Sequence, residues 1–371
     1  MMTSRLAKWL IPALALVLTV SLAACSSAAP APAPTQAPAK PAAEPTKPAA
    51  APAAPTAAAP AAAAPTTAAA PAASVPALTK DYKLSLATGG TAGTYYPYGG
   101  AIASLWSNNM KGVSVTAETS GGAVENERLL GSKQVELALT QNDIADYANT
   151  GTEMFKDKVT NVRAVAVLYP EVLQWVVTPD IKSLADLKGK AFVVGDAGSG
   201  TEANTRQVFA TNGMSYKDLS KAPNLSYAEA ANAFKDRQND GFAVTGGVPT
   251  SAITDAATSR DIALLPIDGN TAKNAMDKYK SFVATKIPAN SYKGQTADIN
   301  SIAVQSMLVA REDLDTDLVY WLTKTLIEKQ PDLAQAHAKG KELSAQFALK
   351  GLTIPLHPGA EKYYREIGVI K

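Results

Sequence analysis

The chain reads as an α/β protein of two lobes followed by a helical C-terminal tail. Three observations predict this. A strand–turn–helix construction occurs three times in succession between Lys83 and Tyr147, a fourth copy stands well downstream, and from Asp313 onward the pattern is almost entirely helical. The first copy is KLSLATGG then TAGTYYPYGGAIASLW from Lys83, the second VSVTAETSGG then AVENERLL from Val113, and the third VELALTQND then IADYA from Val135. Each apolar run is short and rich in β-formers, and each tail has helical spacing. Such units in series predict a parallel sheet with three helix N-termini along one edge. Unpaired N–H groups and the positive end of the helix dipole suit a carboxylate or another small anion there.

The remaining elements follow in order. Val162 to Leu168 and Gln174 to Val177 read as two strands separated by Tyr169-Pro170-Glu171, with Pro179 as a stop. Residues 183–190 read as a helical turn closed by Gly189, leading into a strand from Ala191 to Val194. In the fourth unit Gly198-Ser199-Gly200-Thr201 opens a helix that Asn212-Gly213 closes. A helix from Tyr227 to Arg237 precedes a strand from Phe242 to Thr245 and the turn Gly246-Gly247-Val248-Pro249, with Pro249 expected in the first turn of the next helix. Ile262 to Pro266 and Ile302 to Val309 are strand-like. Helices are expected over 314–329, 331–338, 341–349 and 360–367. The first lobe is therefore expected to be discontinuous, 80–173 with 300–371, and the second to span 174–299. Two crossovers would make a hinge.

Composition sets apart the N-terminal region. Arg5 and Lys8 precede an apolar run from Leu10 to Leu22, too short to span a bilayer comfortably. The run ends in Leu22-Ala23-Ala24-Cys25, which resembles a bacterial lipobox, and Cys25 is the only cysteine of 371 residues. Residues 1–24 are expected to be a signal peptide and Cys25 to carry lipid. The other reading is an ordinary cleavage site with Cys25 there by chance. Most of the 24 prolines crowd into the Ala/Pro/Thr tract that follows. That tract has little to bury, so residues 25–79 are expected to form a disordered tether. It would reach on the order of 40 Å as a coil and roughly 160 Å as polyproline II. Charges of both signs are scattered, with a net of +2 and no basic block, so nucleic acid is not an expected partner.

TGGTAGTYYPYGGAIA, ETSGGAVENERLL, LTQNDIADYA, VLYPE, SLADLKGKAFVVGDAGSGT, GGVPT and LHPGAEKYYREIG occur in that order. Taken together, the set resembles the TAXI-type extracytoplasmic solute receptors of TRAP transporters, over about Lys83 to the C-terminus. The resemblance implies a two-lobed type II periplasmic-binding-protein fold, a Venus flytrap closing on a small organic acid or amino acid. Glutamate-like or dicarboxylate ligands are implied, as is a TRAP-type membrane permease as partner. Ala123 stands where that family usually has a hydroxyl residue, which removes one potential donor. Gln141 and Asp143 match its strand-end pair.

Each candidate ligand residue has a plainer alternative. Thr91, Gly93, Thr94, Tyr95 and Tyr96 open the first helix; the N–H groups of Gly93, Thr94 and Tyr95 would hold a carboxylate, or the glycines merely turn the chain. Ser120 and Gly121 would make a second anion-facing turn, or a simple N-cap. Gln141 offers donor and acceptor at a strand end. Tyr169 and Glu171 stand where the chain crosses between lobes; Glu171 would pair with a ligand ammonium, or be a solvated hinge carboxylate. Ser199, Gly200 and Thr201 are the counterpart in the second lobe, and lack the lysine of a phosphate loop. Gly247 would approach through backbone. Arg128, Arg163 and Arg206 are weaker candidates.

No metal-spaced His/Cys cluster exists, the two histidines lie in the tail, and no G-x-S-x-G elbow has a histidine partner. No cofactor is expected. The expected function is therefore an extracytoplasmic, lipid-anchored, non-enzymatic receptor for a small carboxylate, serving a TRAP permease. An ABC importer's binding protein and a periplasmic enzyme on the same scaffold are the alternatives.

Overall fold

A computed structural model describes Leu78 and residues 80–371, which belong to one compact unit. The signal peptide, Cys25 and the tether expected from the sequence, Leu78 apart, lie outside the described residues.

The three opening units form as the periodicity requires. Strands β1 (Tyr82–Ala87), β2 (Val113–Glu118) and β3 (Leu137–Gln141) alternate with helices α1 (Tyr95–Asn109), α2 (Ala123–Gly131) and α3 (Asn142–Thr150). β1 pairs in parallel with β2 on one side and β3 on the other. Then comes β4 (Val162–Val177), a single strand of 16 residues.

The second half holds β5 (Phe192–Val193), α4 (Gly200–Thr211), α5 (Tyr227–Lys235), β6 (Gly241–Gly246), α6 (Ser251–Ser259), β7 (Ala263–Leu265), α7 (Gly269–Lys278) and β8 (Val283–Ile287). β9 (Ile299–Arg311) leads back, and α8 (Thr316–Glu328), α9 (Gln330–Ala336) and α10 (Pro358–Glu366) close the chain. Strand order is β2-β1-β3-β9-β4-β6-β5, with β7 on β4 and β8 on β9.

β4 and β9 are antiparallel neighbours that run through both halves. The first part of β4 pairs with β9 and, at Ala164, bridges to Leu356; from Val172 it also pairs with β6. β9 in turn pairs with β8 up to Ala303 and with β3 from Ser306. Around these strands the apolar residues separate into distinct cores. Leu86, Tyr98, Trp106 and Leu139 pack with the tail residues Leu318, Leu322 and Tyr363. Trp175, Phe192 and Phe209 pack on one face of the second half, and Val176, Phe234 and Phe242 on the other. Trp175 and Val176 are adjacent yet enter different cores because side chains alternate along a strand. The tail belongs to the first half: Trp106 Nε1 donates to the Leu322 carbonyl at 2.9 Å and the Tyr364 hydroxyl to that of Val165 at 3.0 Å.

Several sequence expectations need correction. Pro170 does not divide two strands; it pairs opposite Gln305 inside β4, just after a register shift between Val167 and Tyr169. An irregularity of this kind accommodates a residue without an N–H. The helix expected over 341–349 is instead two short 3₁₀ turns, Ala338–Glu342 and Phe347–Leu349. Gly340 is pressed on α9 so closely that a Cβ there would lie 2.6 Å from the Ala334 nitrogen, which turns the chain away. Pro249 precedes the cap residue Thr250 and is not inside α6.

Candidate functional site

The carboxyl ends of β1, β3 and β6, the start of four helices and the middle of β4 converge on one cavity of about 60 Å³. The first half lends Gly89, Gly90, Gly93, Thr94, Tyr95, Gly121, Gly122, Ala123, Gln141 and Glu171; the second lends Asp196, Ser199, Gly200, Thr201, Ser226, Tyr227, Thr245 and Gly246. A site outside the carboxyl edges of the strands, where the sheet changes direction, is the usual location in such folds.

The two halves touch around it. Glu125 N donates to the Gly198 carbonyl at 3.1 Å, Ala252 N to that of Ala92 at 3.2 Å, and Gly247 N to Thr94 Oγ1 at 3.1 Å. Beside the cavity α3 meets α4, where Asn204 Nδ2 donates to buried Asp143 Oδ2 at 2.8 Å and Gln207 Nε2 to the Tyr147 hydroxyl at 3.1 Å.

Besides α5, whose Ser226 and Tyr227 line the wall, three helix N-termini reach the cavity, those of α1, α2 and α4, at Tyr95, Ala123, Gly200 and Thr201. First-turn amides have no partner within their own helix, and the dipole makes that end positive. The sequence had suggested α3 as the third helix; only Gln141, the strand residue before it, lines the space.

Not every amide expected to point inward is available. Gly93 N donates to the Gly90 carbonyl at 3.1 Å, Gly121 N to Glu125 Oε2 at 2.8 Å, and Ser199 N to the Asp196 carbonyl at 3.1 Å. The hydroxyls of Thr201 and Tyr227 are 2.5 Å apart, and both accept from Thr245 N. These groups shape the wall.

Glu171 is the chemical centre of the first half. It is 1 % exposed, its Oε2 accepts from Gln141 Nε2 at 2.9 Å, and its Oε1 has no hydrogen-bond partner. Burial pushes its carboxyl up to about 7, against the opposing pull of nearby Tyr95, Gln141 and Ser306. The Tyr95 hydroxyl and Gln141 Oε1 are likewise buried without partners. Burial, and then the Glu171 charge, raises the Tyr95 phenol well above its ordinary range. Partial burial raises the second carboxylate, Asp196, and the charges of Glu229 and Glu125 push the same way. No lysine, arginine or histidine lines the cavity.

Of the sequence candidates, Gly93, Thr94, Tyr95, Gly121, Gln141, Glu171, Ser199, Gly200 and Thr201 are brought together here. Five are not. Thr91 and Tyr96 are exposed outside the cavity. The Ser120 hydroxyl donates to the Thr88 carbonyl at 3.0 Å and accepts from Gly122 N at 3.1 Å, which fixes the turn. Tyr169 is fully buried, edge-on to Tyr98 with ring centroids 5.5 Å apart. Gly247 spends its amide on Thr94.

The arginines lie elsewhere: Arg163 on Glu312 at 2.5 Å, Arg206 between Glu202 and Glu153, and Arg128 over the Phe155 ring. His357 is buried as the cap of α10, with Nδ1 accepting from Gly359 N. Sequence reasoning missed Asp196, Ser226 and Tyr227. The Ser226–Glu229 capping box at the start of α5 was the available signal for the last two.

Among the described residues no cluster of three or more His, Cys, Asp or Glu is placed to hold a metal, and no helix is long and apolar enough to cross a membrane.

Residues 86–368 match the model of the NMT1-like family. Similar solved structures include a Bordetella bronchiseptica RB50 protein at 17% identity, covering 76% of this chain and 82% of that one with a TM-score of 0.47. The alkanesulfonate-binding protein SsuA from Xanthomonas axonopodis pv. citri, bound to MOPS, is 15% identical over 78% and 85% of the two chains, with a TM-score of 0.42. PhnD1 from Prochlorococcus marinus, in complex with methylphosphonate, is 13% identical over 78% and 99%, with a TM-score of 0.47. Likeness at this level decides neither ligand nor transporter.

Proposed function

The chain belongs to the NMT1-like family, and we propose that it is an extracytoplasmic solute-binding protein that captures a small carboxylate-bearing molecule between its two lobes and delivers it to a membrane importer. The observation that carries this reading is the convergence of three helix N-termini from both halves on one small cavity. A carboxylate placed there meets amides of Tyr95 and Ala123 from one side and of Gly200 and Thr201 from the other. Only a closed cleft offers both sets, so binding would shift an open–closed equilibrium.

We place the lobes at 80–173 with 300–371 and at 174–299, joined by β4 and β9, with Val172, Leu173, Ile302, Ala303 and Val304 beside the crossovers packing into the cores of the second lobe. The signal-like N-terminus and Cys25 support export and lipid anchoring. Two classes of importer use such a receptor. An ABC importer is one; a TRAP permease is the other, favoured by the ordered TAXI-type motifs. The cavity itself does not choose between them. Binding rather than catalysis is favoured because no histidine, cysteine or lysine lines the cavity.

Mass spectrometry of small molecules released by denaturing the purified protein tests the reading. A stoichiometric carboxylate is expected. Recovery of a nucleotide, or turnover of whatever is bound, would contradict it.

A further inference from the structure

The wall chemistry narrows the solute further than a carboxylate. Glu171 is almost wholly buried, yet one of its oxygens has no partner, and the Gln141 oxygen and Tyr95 hydroxyl beside it are equally unsatisfied. Of the buried side-chain atoms left without a partner, the ones that line the cavity are these three, close enough together that Tyr95 pulls on the Glu171 carboxyl, so the cavity is where an added donor would meet them. All three can accept hydrogen bonds, and a protonated amine supplies three donors and a positive charge. The lining holds two carboxylates, Glu171 and Asp196, and no cationic side chain. A second carboxylate on the solute would meet no counter-charge and two like charges.

We infer that the solute is a small zwitterion with one carboxylate at the helix N-termini and one protonated amine on Glu171, Gln141 and Tyr95. Dicarboxylates are then poor ligands, and Glu171 determines the amine requirement. This rests on the binding role proposed above.

Isothermal titration of the full-length protein, stripped of endogenous solute by unfolding and refolding, tests it. The probes are glycine, L-alanine, L-serine and L-glutamine, the amine-free analogues propionate and lactate, the carboxylate-free ethylamine, and the dicarboxylates succinate and L-glutamate. At least one of the four zwitterions should bind about a hundredfold more tightly than its amine-free analogue and than either dicarboxylate. Glu171→Gln keeps the side chain's shape and should lower zwitterion affinity by about the same factor, leaving the amine-free analogue unchanged or improved. Glu171→Asp should retain the preference for the amine. Both variants are compared with the parent by thermal melting, and if Glu171→Gln does not fold, the ranking of ligands on the parent protein decides alone. Amine-free carboxylates or dicarboxylates binding best would overturn this inference and leave the binding role standing. No binding by any probe would overturn both.

Discussion

Gly200→Ala is expected to oppose closure of the cleft without harming the helix it sits in. Gly200 opens α4 with an ordinary backbone conformation, so alanine is compatible with the helix itself. Across the cleft, however, the new methyl would lie 1.8 Å from Gln141 Oε1 and 2.4 Å from its Cδ. Gln141 is 2 % exposed and holds Glu171 through a 2.9 Å hydrogen bond. Relief requires Gln141 to give up that bond or α4 to withdraw from the first lobe. A hydrogen bond to a charged group is worth roughly 1.5–3 kcal/mol, so solute affinity should fall about ten- to hundredfold. Titration with the zwitterion that binds the parent most tightly measures the loss, and thermal melting without solute should show no matching destabilisation. Parental affinity together with a crystal structure in which Gln141 still bonds Glu171 would refute this view of the cleft.

Three further outcomes are expected. Burial lifts the carboxyls of Glu127 and Glu171 to about 7 and of Asp143 to about 6, from 4.5 and 3.8. The native protein therefore keeps protons that the unfolded chain releases, and stability falls as pH rises from about 4 to about 7, by roughly 3 kcal/mol for each glutamate. Melting temperatures without solute across that range should show the decline, and Glu127→Gln, away from the cavity, should flatten it; a rise with pH would contradict the assignment. A solute amine needs ionised Glu171, which Tyr95, Gln141, Tyr169 and Ser306 surround and the charge of Asp143 disfavours. Zwitterion affinity should thus weaken below about pH 7, by up to about tenfold per pH unit, with the slope absent in Glu171→Gln. Asn204→Leu leaves Asp143 buried without its partner only when the lobes meet, so titration should show affinity reduced by about five- to hundredfold though residue 204 lines no part of the cavity; unchanged affinity would remove α3 and α4 from the closure mechanism.

Much of this architecture was legible because strand–turn–helix units carry two periods and a glycine turn in sequence. The run from Lys83 to Tyr147 displays all three, and it folds as β1 to α3. β4 was not legible as one strand, because Pro170 reads as a stop; only a partner strand with a register shift makes it tolerable. α7 went unread since GNTAKNAMDK carries few apolar residues, and just Ala272 and Ala275 are buried. The cavity was half legible. Glycine turns announce where helices begin, which placed Tyr95, Gly200 and Thr201 correctly beside it. They do not announce which amides the turn itself consumes, as at Gly93 and Gly121. Nor does local pattern reveal that α2, rather than α3, presents its end to the cavity, since that depends on the twist of the sheet.

The most direct measurement is a crystal structure of the protein with its co-purified solute retained. Density filling the cavity between Tyr95, Ala123, Gly200 and Glu171, with a carboxylate at the helix ends and an amine on Glu171, is the expected result. A bound solute elsewhere on the molecule, with this cavity holding only water, would contradict the account.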